Sequence, residues 1–388
     1  MARLIAIVLA SLMGPAGCVD RVLYPRSCGD GHVVAGEACF GDDIDRYDVP
    51  FTPVALRVAE FDGDGNLDVL VLGVDTERGV VAAMGLGTGD GTLAPFRDAG
   101  VTGCSAHPAL GPADGDDATD LLVAGCDTAM SIYLADRAGS FTGPHTVEVG
   151  VATRTSAIVD VDRDGVADVV ALGTVGDRVE LAWARGRSPG QFEPPLSTVI
   201  GTVGAPLEPT SFSIGRLDGD GFDDALLAHA EDGSVLLSRG GPGGFASPER
   251  VDELPDAQGV AVLDLDGRGD HELLVVHAAP PRLEAWRGQL GRLQALRSTD
   301  IGEVAGQVIS AGDVDGDARL DLAFFAADDT RVRLWLGDGR GRFTAAAEVE
   351  LGTAIAQLAI ADLDSDGAAE LVVGAFADGE LRIVHGDP

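Results

Sequence analysis

The sequence predicts an all-β fold: a seven-bladed β-propeller of four-stranded antiparallel blades, with the ring closed by an N-terminal strand. Three observations predict it. A nine-residue acidic loop recurs seven times at steps of 48 to 56 residues, and a period near 50 residues indicates a repeat architecture. Short apolar runs rich in β-branched residues flank the loop, as the strands of a β-hairpin do. Two later strands around a Gly-rich turn complete four strands per unit, which makes a propeller blade.

The third loop, residues 160–168, illustrates the chemistry of the repeat. Carboxylates stand at its first, third, fifth and ninth positions, and Gly165 stands at the sixth, where the chain must turn tightly. Calcium prefers six to eight oxygen ligands, which alternate side chains and one backbone carbonyl, here that of Val166, supply in a short loop. An EF-hand is excluded, because it needs flanking helices and a Glu at the twelfth position, where this chain has Ala171. The loop therefore predicts calcium in the turn of a hairpin.

The seven loops are not equivalent. They begin at Glu60, Pro112, Asp160, Arg216, Asp264, Asp313 and Asp362. We expect about four structural calcium sites, because four loops keep acidic residues at all four ligand positions. Their carboxylates are Glu60, Asp62, Asp64, Asp68, Asp160, Asp162, Asp164, Asp168, Asp313, Asp315, Asp317, Asp321, Asp362, Asp364, Asp366 and Glu370. A solvated acidic turn is the alternative for each.

The other three loops are expected not to bind calcium. The second loop has Pro112 at its first position and Asp117 in place of the turn Gly. The fourth and fifth loops carry Arg216 and Arg268, whose guanidinium groups repel a cation and can themselves neutralise the neighbouring carboxylates.

The pattern Asp-x-Asp-x-Asp-Gly-x-x-Asp, followed later by Gly-x-Gly-x-Phe, resembles the FG-GAP or VCBS-type repeat found in the head of integrin α-subunits. The resemblance covers roughly residues 40 to 388. It implies that the calcium loops lie on one face of the ring and that a ligand, an unknown protein or glycan, meets the opposite face. One irregular segment, residues 201–210, accounts for the longest step between loops and is a candidate recognition loop, with a tolerated surface insertion as the alternative.

The N-terminal region predicts export. Residues 1–17 have the pattern of a lipoprotein signal peptide, with Arg3 followed by the apolar run 4–13. Ala-Gly-Cys resembles a bacterial lipobox, which implies a lipid on Cys18 and a location at the cell envelope, on the outer membrane or the cell surface. Pro15 departs from the usual aliphatic residue, so ordinary cleavage, giving a secreted or periplasmic protein, is the alternative.

Residues 18–42 are interpreted as a tether with a short disulfide-bonded cysteine motif, and residues 43–388 as the propeller. Without Cys18, the five cysteines leave two local pairs: Cys28 with Cys39, whose surroundings resemble a short repeat of secreted bacterial proteins, and Cys104 with Cys126. Export favours disulfides over free thiols.

The last repeat lacks its fourth strand, and the N-terminal segment offers one. Phe40 stands 20 residues before Glu60, as Phe343 stands 19 residues before Asp362. Residues 43–49 are therefore predicted to form the fourth strand of the last blade.

Composition and motifs argue against several classes of partner and of enzyme. A formal net charge of −36 disfavours nucleic acid and anionic membranes as partners. The sequence contains no nucleophile elbow, phosphate loop or dinucleotide fingerprint, and His271 and His277 are six residues apart on a predicted strand, unlike a zinc motif on a helix. Trp183, Trp286 and Trp335 recur at one place in their repeats and are expected to pack between blades rather than stack on a ligand.

These observations predict an exported, lipid-anchored, calcium-binding propeller that acts as a monomeric binding or adhesion module. A carbohydrate-active or hydrolase-associated propeller enzyme, and a purely structural envelope protein, are the alternatives.

Overall fold

A computed structural model describes residues 40–386, apart from residues 76, 105–107, 117, 126, 189, 203–210, 230–232, 252–253, 255–256, 268–270, 279, 290–291, 302–307, 326–329, 368 and 376–378. The signal peptide, Cys18, Cys28 and Cys39 lie outside the described residues, as do Cys126, Arg268 and most of the candidate recognition loop. No helix that is long and apolar enough to cross a bilayer occurs in the described part of the chain.

The described strands form seven four-stranded antiparallel sheets, as the sequence predicts, and each sheet is one blade. The first three blades consist of β2 (Thr52–Ala59), β3 (Asp68–Asp75), β4 (Gly79–Gly85) and β5 (Arg97–Gly103); β6 (Ala109–Gly111), β7 (Asp120–Ala124), β8 (Ala129–Ala135) and β9 (Phe141–Glu148); and β10 (Ala152–Val159), β11 (Asp168–Val175), β12 (Arg178–Ala184) and β15 (Leu196–Thr202). Between β12 and β15 lies a small hairpin of β13 (Gly186–Ser188) and β14 (Gln191–Phe192).

The remaining blades follow the same order. The fourth, fifth and sixth consist of β16 (Ser211–Gly215), β17 (Asp224–His229), β18 (Ser234–Ser238) and β19 (Glu249–Arg250); β20 (Ala257–Leu263), β21 (Glu272–Ala278), β22 (Pro281–Gln289) and β23 (Arg292–Asp300); and β24 (Val308–Gly312), β25 (Asp321–Phe325), β26 (Arg331–Gly337) and β27 (Phe343–Glu350). The seventh blade consists of β28 (Gln357–Ala361), β29 (Glu370–Ala375), β30 (Glu380–Gly386) and β1 (Phe40–Asp48).

The core lies between blades. Each of seven hydrophobic clusters in the described part of the chain contains buried residues from two neighbouring blades. The second strand of a blade is packed on both faces, which is why a run such as Val69–Leu72 is continuously apolar and fully buried. The first strands of neighbouring blades contact each other in several pairs, such as β16 with β20, so they line the axis of the ring.

The ring is closed as predicted, by an N-terminal strand in the last blade. β1 pairs antiparallel with β30, from Phe40 opposite Gly386 to Asp48 opposite Glu380. The cluster between the seventh and first blades joins Leu381 and Ile383 to Leu56. Closure removes the free sheet edge that an open ring would expose.

The closing strand begins earlier than the sequence predicts. Phe40 was assigned to the tether, but its side chain is 7% exposed and packs in the cluster between the sixth and seventh blades. The strand register shifts between Phe40 and Ile44, so an irregularity there separates the anchoring aromatic residue from the regular pairing.

The three tryptophans pack between blades, but they do not share one position. Trp286 and Trp335 pair with the second residue of the strand before them, and each packs against the preceding blade. Trp183 stands one residue earlier in its strand and packs against the following blade. A one-residue offset moves a strand side chain to the opposite face of its sheet, so the equivalence predicted from spacing is wrong for Trp183.

Candidate metal centres on one rim

The acidic loops lie together on one rim of the ring. Each joins the first strand of a blade to the second, so successive blades present their loops at the same end. Backbone hydrogen bonds connect neighbouring loops: Thr119 N–H donates to Glu60 O at 2.8 Å, and Ala369 N–H donates to Asp313 O at 2.9 Å. The loops therefore form a belt that holds adjacent blades together at this end.

Five loops gather carboxylates closely enough to share a metal ion. In each, one oxygen from each of the first, third and ninth positions lies within 4.8 Å of the others. The clusters are Glu60, Asp62 and Asp68; Asp160, Asp162 and Asp168; Asp264, Asp266 and Glu272; Asp313, Asp315 and Asp321; and Asp362, Asp364 and Glu370. Four are the loops predicted from the sequence, and the fifth, at Asp264, was expected not to bind.

The fifth position of the loop joins none of these clusters of described residues. Asp64 accepts a hydrogen bond from the Asn66 side chain at 2.9 Å. Asp164 pairs with Arg185 at 2.8 Å, and Asp317 pairs with Arg319 at 2.6 Å. Two of these carboxylates are thus already neutralised by arginine, while Asp366 lies outside the clusters as well. The structure brings together three of the four ligand positions predicted from the sequence.

The ninth position is buried in every blade. Its side chain is at most 4% exposed in Asp68, Asp120, Asp168, Asp224, Glu272, Asp321 and Glu370. In five blades this carboxylate accepts two backbone hydrogen bonds, one from the loop and one from the end of the third strand. Asp168, for example, accepts from Val161 N–H at 2.9 Å and from Gly186 N–H at 2.7 Å.

The close approach of a backbone carbonyl explains the glycine at the end of the third strand in several blades. A Cβ on Gly186 would lie 2.2 Å from Ala167 O, which no side chain tolerates. The same close approach occurs at Gly87 and Gly337. The ninth acid and the third-strand glycine therefore form one structural unit, whether or not a metal is bound.

Burial raises the pKa of the carboxyl groups at the ninth loop position. It raises the pKa of Asp68 to about 6 and the pKa of Asp321 to about 7, and neighbouring loop carboxylates add to the rise. Burial likewise raises the pKa of Glu370 to about 7. Because a cation would favour the ionised form, these clusters are suited to a bound divalent ion.

The first-position carboxylates show whether the loops fit a bound cation. Asp313 accepts from Asp317 N–H at 3.1 Å and from Ala318 N–H at 2.6 Å, which shapes the loop around the cluster. In the last loop, Asp362 Oδ2 accepts from Gly367 N–H at 3.1 Å, but Asp362 Oδ1 is buried without a hydrogen-bond partner. An orphaned carboxylate oxygen beside Asp364 and Glu370 fits a hard cation, whose preferred ligands are oxygens.

A comparison with protein-family profiles identifies the type of repeat. A profile of the FG-GAP-like repeat matches residues 113–171, 160–227, 216–275 and 313–373, which together make up more than half of the chain. The chain belongs to the FG-GAP-like repeat family. No curated protein sequence matches it.

Solved propellers share the fold of this FG-GAP-like protein at low sequence identity. The Raptor structure from Chaetomium thermophilum has a TM-score of 0.52 at 14% identity, covering 91% of this chain and 29% of that one, so this chain spans less than a third of Raptor. The β-propeller domain of Cps50 (Swd1) from Myceliophteria thermophila has a TM-score of 0.53 at 13% identity, with 87% and 96% covered. The exotype rhamnogalacturonan lyase YesX has a TM-score of 0.51 at 15% identity, with 94% and 75% covered. These likenesses concern the fold alone.

The second and fourth loops keep the buried ninth carboxylate with its two backbone hydrogen bonds, without a metal cluster among their described residues. In the second, Asp120 accepts from Asp114 N–H at 3.0 Å and from Ala135 N–H at 2.9 Å. In the fourth, Asp218 pairs with Arg239 of the third strand at 2.7 Å. Arg216, which the sequence analysis considered as the neutralising group, makes no ion pair with the described carboxylates.

Sequence reasoning therefore missed a group of arginines outside the loops. Arg185, Arg239 and Arg287 each lie at the end of a third strand and pair with a third-position loop carboxylate. The available signal was their place directly before a glycine, Gly186, Gly240 or Gly288.

Sequence reasoning also missed a second left-handed turn position. Both the fourth and sixth loop positions adopt positive φ, for instance 72° at Gly63 and 91° at Gly65. Non-glycine residues occupy these positions in three loops, with φ of 60° at Arg163, 62° at Ala318 and 60° at Ser365. Left-handed backbone is unfavourable for residues with a Cβ, so the surrounding hydrogen bonds must hold these turns.

Cys104, His271 and His277 each make a contact with a nearby residue. Cys104 N–H donates to Ala124 O at 3.2 Å, which places it near the strand end that precedes Cys126; the pairing itself stays a prediction. His271 Nδ1 accepts from Arg216 N–H at 3.1 Å, and His277 lies 3.2 Å from Glu284. No cluster of three potential ligands in the described part of the chain contains a histidine.

Proposed function

We propose that this FG-GAP-like propeller is a calcium-stabilised binding module at the cell envelope. Calcium is held by the first, third and ninth carboxylates of the rim loops, and the ions stabilise the belt that connects the blades. The observation that carries the calcium assignment is the unpartnered, buried Asp362 Oδ1 beside Asp364 and Glu370. A hard divalent ion satisfies that oxygen and offsets the repulsion among the three carboxylates.

The partner, a protein or a glycan, is assigned to the opposite rim. That rim is formed by the connections from the second to the third strand and from the fourth strand to the next blade. Its turns carry exposed polar groups, such as the Arg78–Asp98 ion pair at 2.6 Å, where both side chains are about half exposed. No acidic cluster like those of the calcium loops occurs among the described residues of that rim, which suits recognition rather than metal binding.

An enzymatic role is the weaker candidate. The rhamnogalacturonan lyase YesX shares the fold at 15% identity, and fold alone does not transfer chemistry. In the described residues, the acidic clusters already have roles in the rim loops, and the two histidines make separate contacts.

Calcium is expected to raise the melting temperature of the metal-free protein. For extracellular modules with Kd near 10⁻⁴ to 10⁻³ M, 10 mM calcium contributes about 1.4 to 2.7 kcal/mol per site. Differential scanning calorimetry with chelator, and then with calcium, measures the shift. Sodium chloride at matched ionic strength is the control, and an equal shift with both salts would reduce the clusters to ordinary acidic turns.

Envelope attachment is assigned to a lipid on Cys18, outside the described residues. The substitution Cys18→Ser is expected to release the protein from membranes while leaving its melting temperature unchanged, because two acyl chains and not the acidic propeller supply the anchor. Fractionation of cells that express each form measures the partition. Unchanged membrane association of the variant would show that Cys18 carries no anchor.

A further inference from the structure

One third-strand position stands opposite the ninth loop residue in every blade. It directly precedes a residue at the end of the third strand. In most blades the N–H of that residue donates a hydrogen bond to the ninth loop carboxylate. The strand registers make its seven occupants equivalent: Leu86, Leu134, Arg185, Arg239, Arg287, Leu336 and His385. The position is thus arginine in three consecutive blades, leucine in three others and histidine in the last.

The three arginines bind the carboxylates that would otherwise bind the ion. Arg185 Nε lies 2.5 Å from Asp162 Oδ2, and its Nη2 lies 2.8 Å from Asp164 Oδ2. Asp162 is only 2% exposed, so its charge needs a partner inside the protein. Arg185 provides that partner without a metal.

The next two blades repeat the arrangement. Arg239 Nη1 lies 2.7 Å from Asp218 Oδ2. Arg287 Nη2 lies 2.5 Å from Glu272 Oε1, a carboxylate 1% exposed, and 3.5 Å from Asp266 Oδ2. In all three blades the third loop position is paired with a guanidinium, and in the fifth blade the ninth position is paired as well.

The remaining clusters have no arginine at this third-strand position. Leu86 and Leu336 are apolar and pack against neighbouring hydrophobic clusters. His385 Nε2 lies 3.2 Å from Asp45 Oδ2 of the closing strand, and His385 also interacts electrostatically with Asp364. Asp362 Oδ1 has no hydrogen-bond partner.

We propose that Arg185, Arg239 and Arg287 act as built-in cations, so that calcium binds only the clusters at Glu60, Asp313 and Asp362. The proposal rests on calcium being the ion of the rim loops, and it reassigns the cluster at Asp160, which the sequence alone places among the calcium sites. A guanidinium that forms an ion pair with a ligand neutralises the charge of that ligand and repels a divalent ion.

The two kinds of loop occupy separate arcs of the ring. The arginine blades are the third, fourth and fifth, whereas the calcium clusters belong to the sixth, seventh and first. The latter arc contains the junction between β30 and β1. Calcium therefore stabilises the part of the ring where the chain closes on itself, and the opposite arc is stable without it.

Calcium titration of the full chain tests the assignment by calorimetric stoichiometry. The wild type is expected to bind three ions, one for each cluster without arginine. Arg185→Leu, which copies the residue found in the first and sixth blades, is expected to add one ion. Arg187→Leu is the matched control, because Arg187 pairs with Glu193 at 2.8 Å and not with the loop, and it should add none.

The reciprocal substitution guards against variants that fail to fold. Leu336→Arg brings a guanidinium to the cluster at Asp313 and is expected to remove one ion while the protein stays folded in chelator. If Arg185→Leu gains no ion, or Leu336→Arg loses none, the proposal is overturned. A wild type that binds no calcium would refute the proposed function together with this inference. A wild type that binds calcium beside an Arg185→Leu variant that gains no ion would refute this inference alone and leave the proposed function standing.

Hydrogen exchange supplies a readout that does not depend on stoichiometry. Chelation is expected to speed amide exchange in β1, β30 and the first and sixth blades by at least tenfold more than in β11, β17 and β21. Equal acceleration around the whole ring would contradict the division into arcs.

Discussion

A chain that begins at Phe51 is expected to melt at a much lower temperature than the whole protein, or to associate through its exposed edge. It lacks β1, which completes the last blade. Phe40 is buried between the sixth and seventh blades, and Tyr47 packs between the seventh and the first, where its hydroxyl accepts a hydrogen bond from Leu93 N–H at 3.0 Å. Losing these contacts lowers the free energy of unfolding by about 5 kcal/mol, which lowers the melting temperature by roughly 7 °C. Without β1, the edge of β30 is free to pair with another chain.

The matched control is a chain that begins at Phe40. It lacks the predicted signal peptide and most of the tether but keeps every residue of β1. Its melting temperature and monomeric state should equal those of the longer chain. Calorimetry and light scattering measure both properties, and a stable monomer from the chain that begins at Phe51 would show that β1 contributes nothing to closure.

The second large effect is expected from Asp120→Ala. Asp120 is 0% exposed and accepts hydrogen bonds from the backbone N–H groups of Asp114 and Ala135. Removing the carboxylate leaves both donors buried without a partner, which lowers the free energy of unfolding by about 3 to 5 kcal/mol. Since the second loop has no described metal cluster, calcium should not restore the loss.

Denaturant unfolding, in chelator and in calcium, measures this loss. Asp116→Ala is the control, because Asp116 accepts one local hydrogen bond, from Ala118 N–H at 2.9 Å, and is only partly buried. Asp120→Asn keeps one acceptor oxygen and should fall between the two. A loss for Asp120→Ala no larger than for Asp116→Ala would mean that the ninth acid is not a structural unit in itself.

The fold was predictable because its signals are local. A hairpin loop, its flanking strands and the Gly-rich turn all lie within one repeat, and seven copies make the period visible. Closure was predictable from the matching distances of Phe40 and Phe343 to the loops that follow them. The start of β1 was missed, because the burial of Phe40 depends on the sixth blade, far away in the sequence.

The metal clusters were only partly predictable, because strand register decides which side chains meet the loop. Arg185 stands 25 residues after the start of its loop and Arg287 stands 23 after its own, so no fixed spacing reveals that they are equivalent. Both reach the loop from the third strand, whose alignment depends on the length of an intervening turn. For the same reason, the spacing in the sequence did not reveal the effect of the one-residue offset between Trp183 and Trp286. That offset turns Trp183 toward the following blade, whereas Trp286 packs against the preceding blade.

The pairing of β1 with β30 also sets the order in which the ring can assemble. During synthesis β1 emerges before every other strand of the ring, yet its partner is the last strand to be made. Contacts so distant in sequence form late, after the intermediate blades have folded from neighbouring strands. Until then β1 stays unpaired, and its sequence, FGDDIDRYD, carries four aspartates and one arginine in nine residues. Charges along an unpaired strand disfavour pairing with the wrong sheet edge. The acidity of β1 therefore protects the chain from misassembly until β30 has been made.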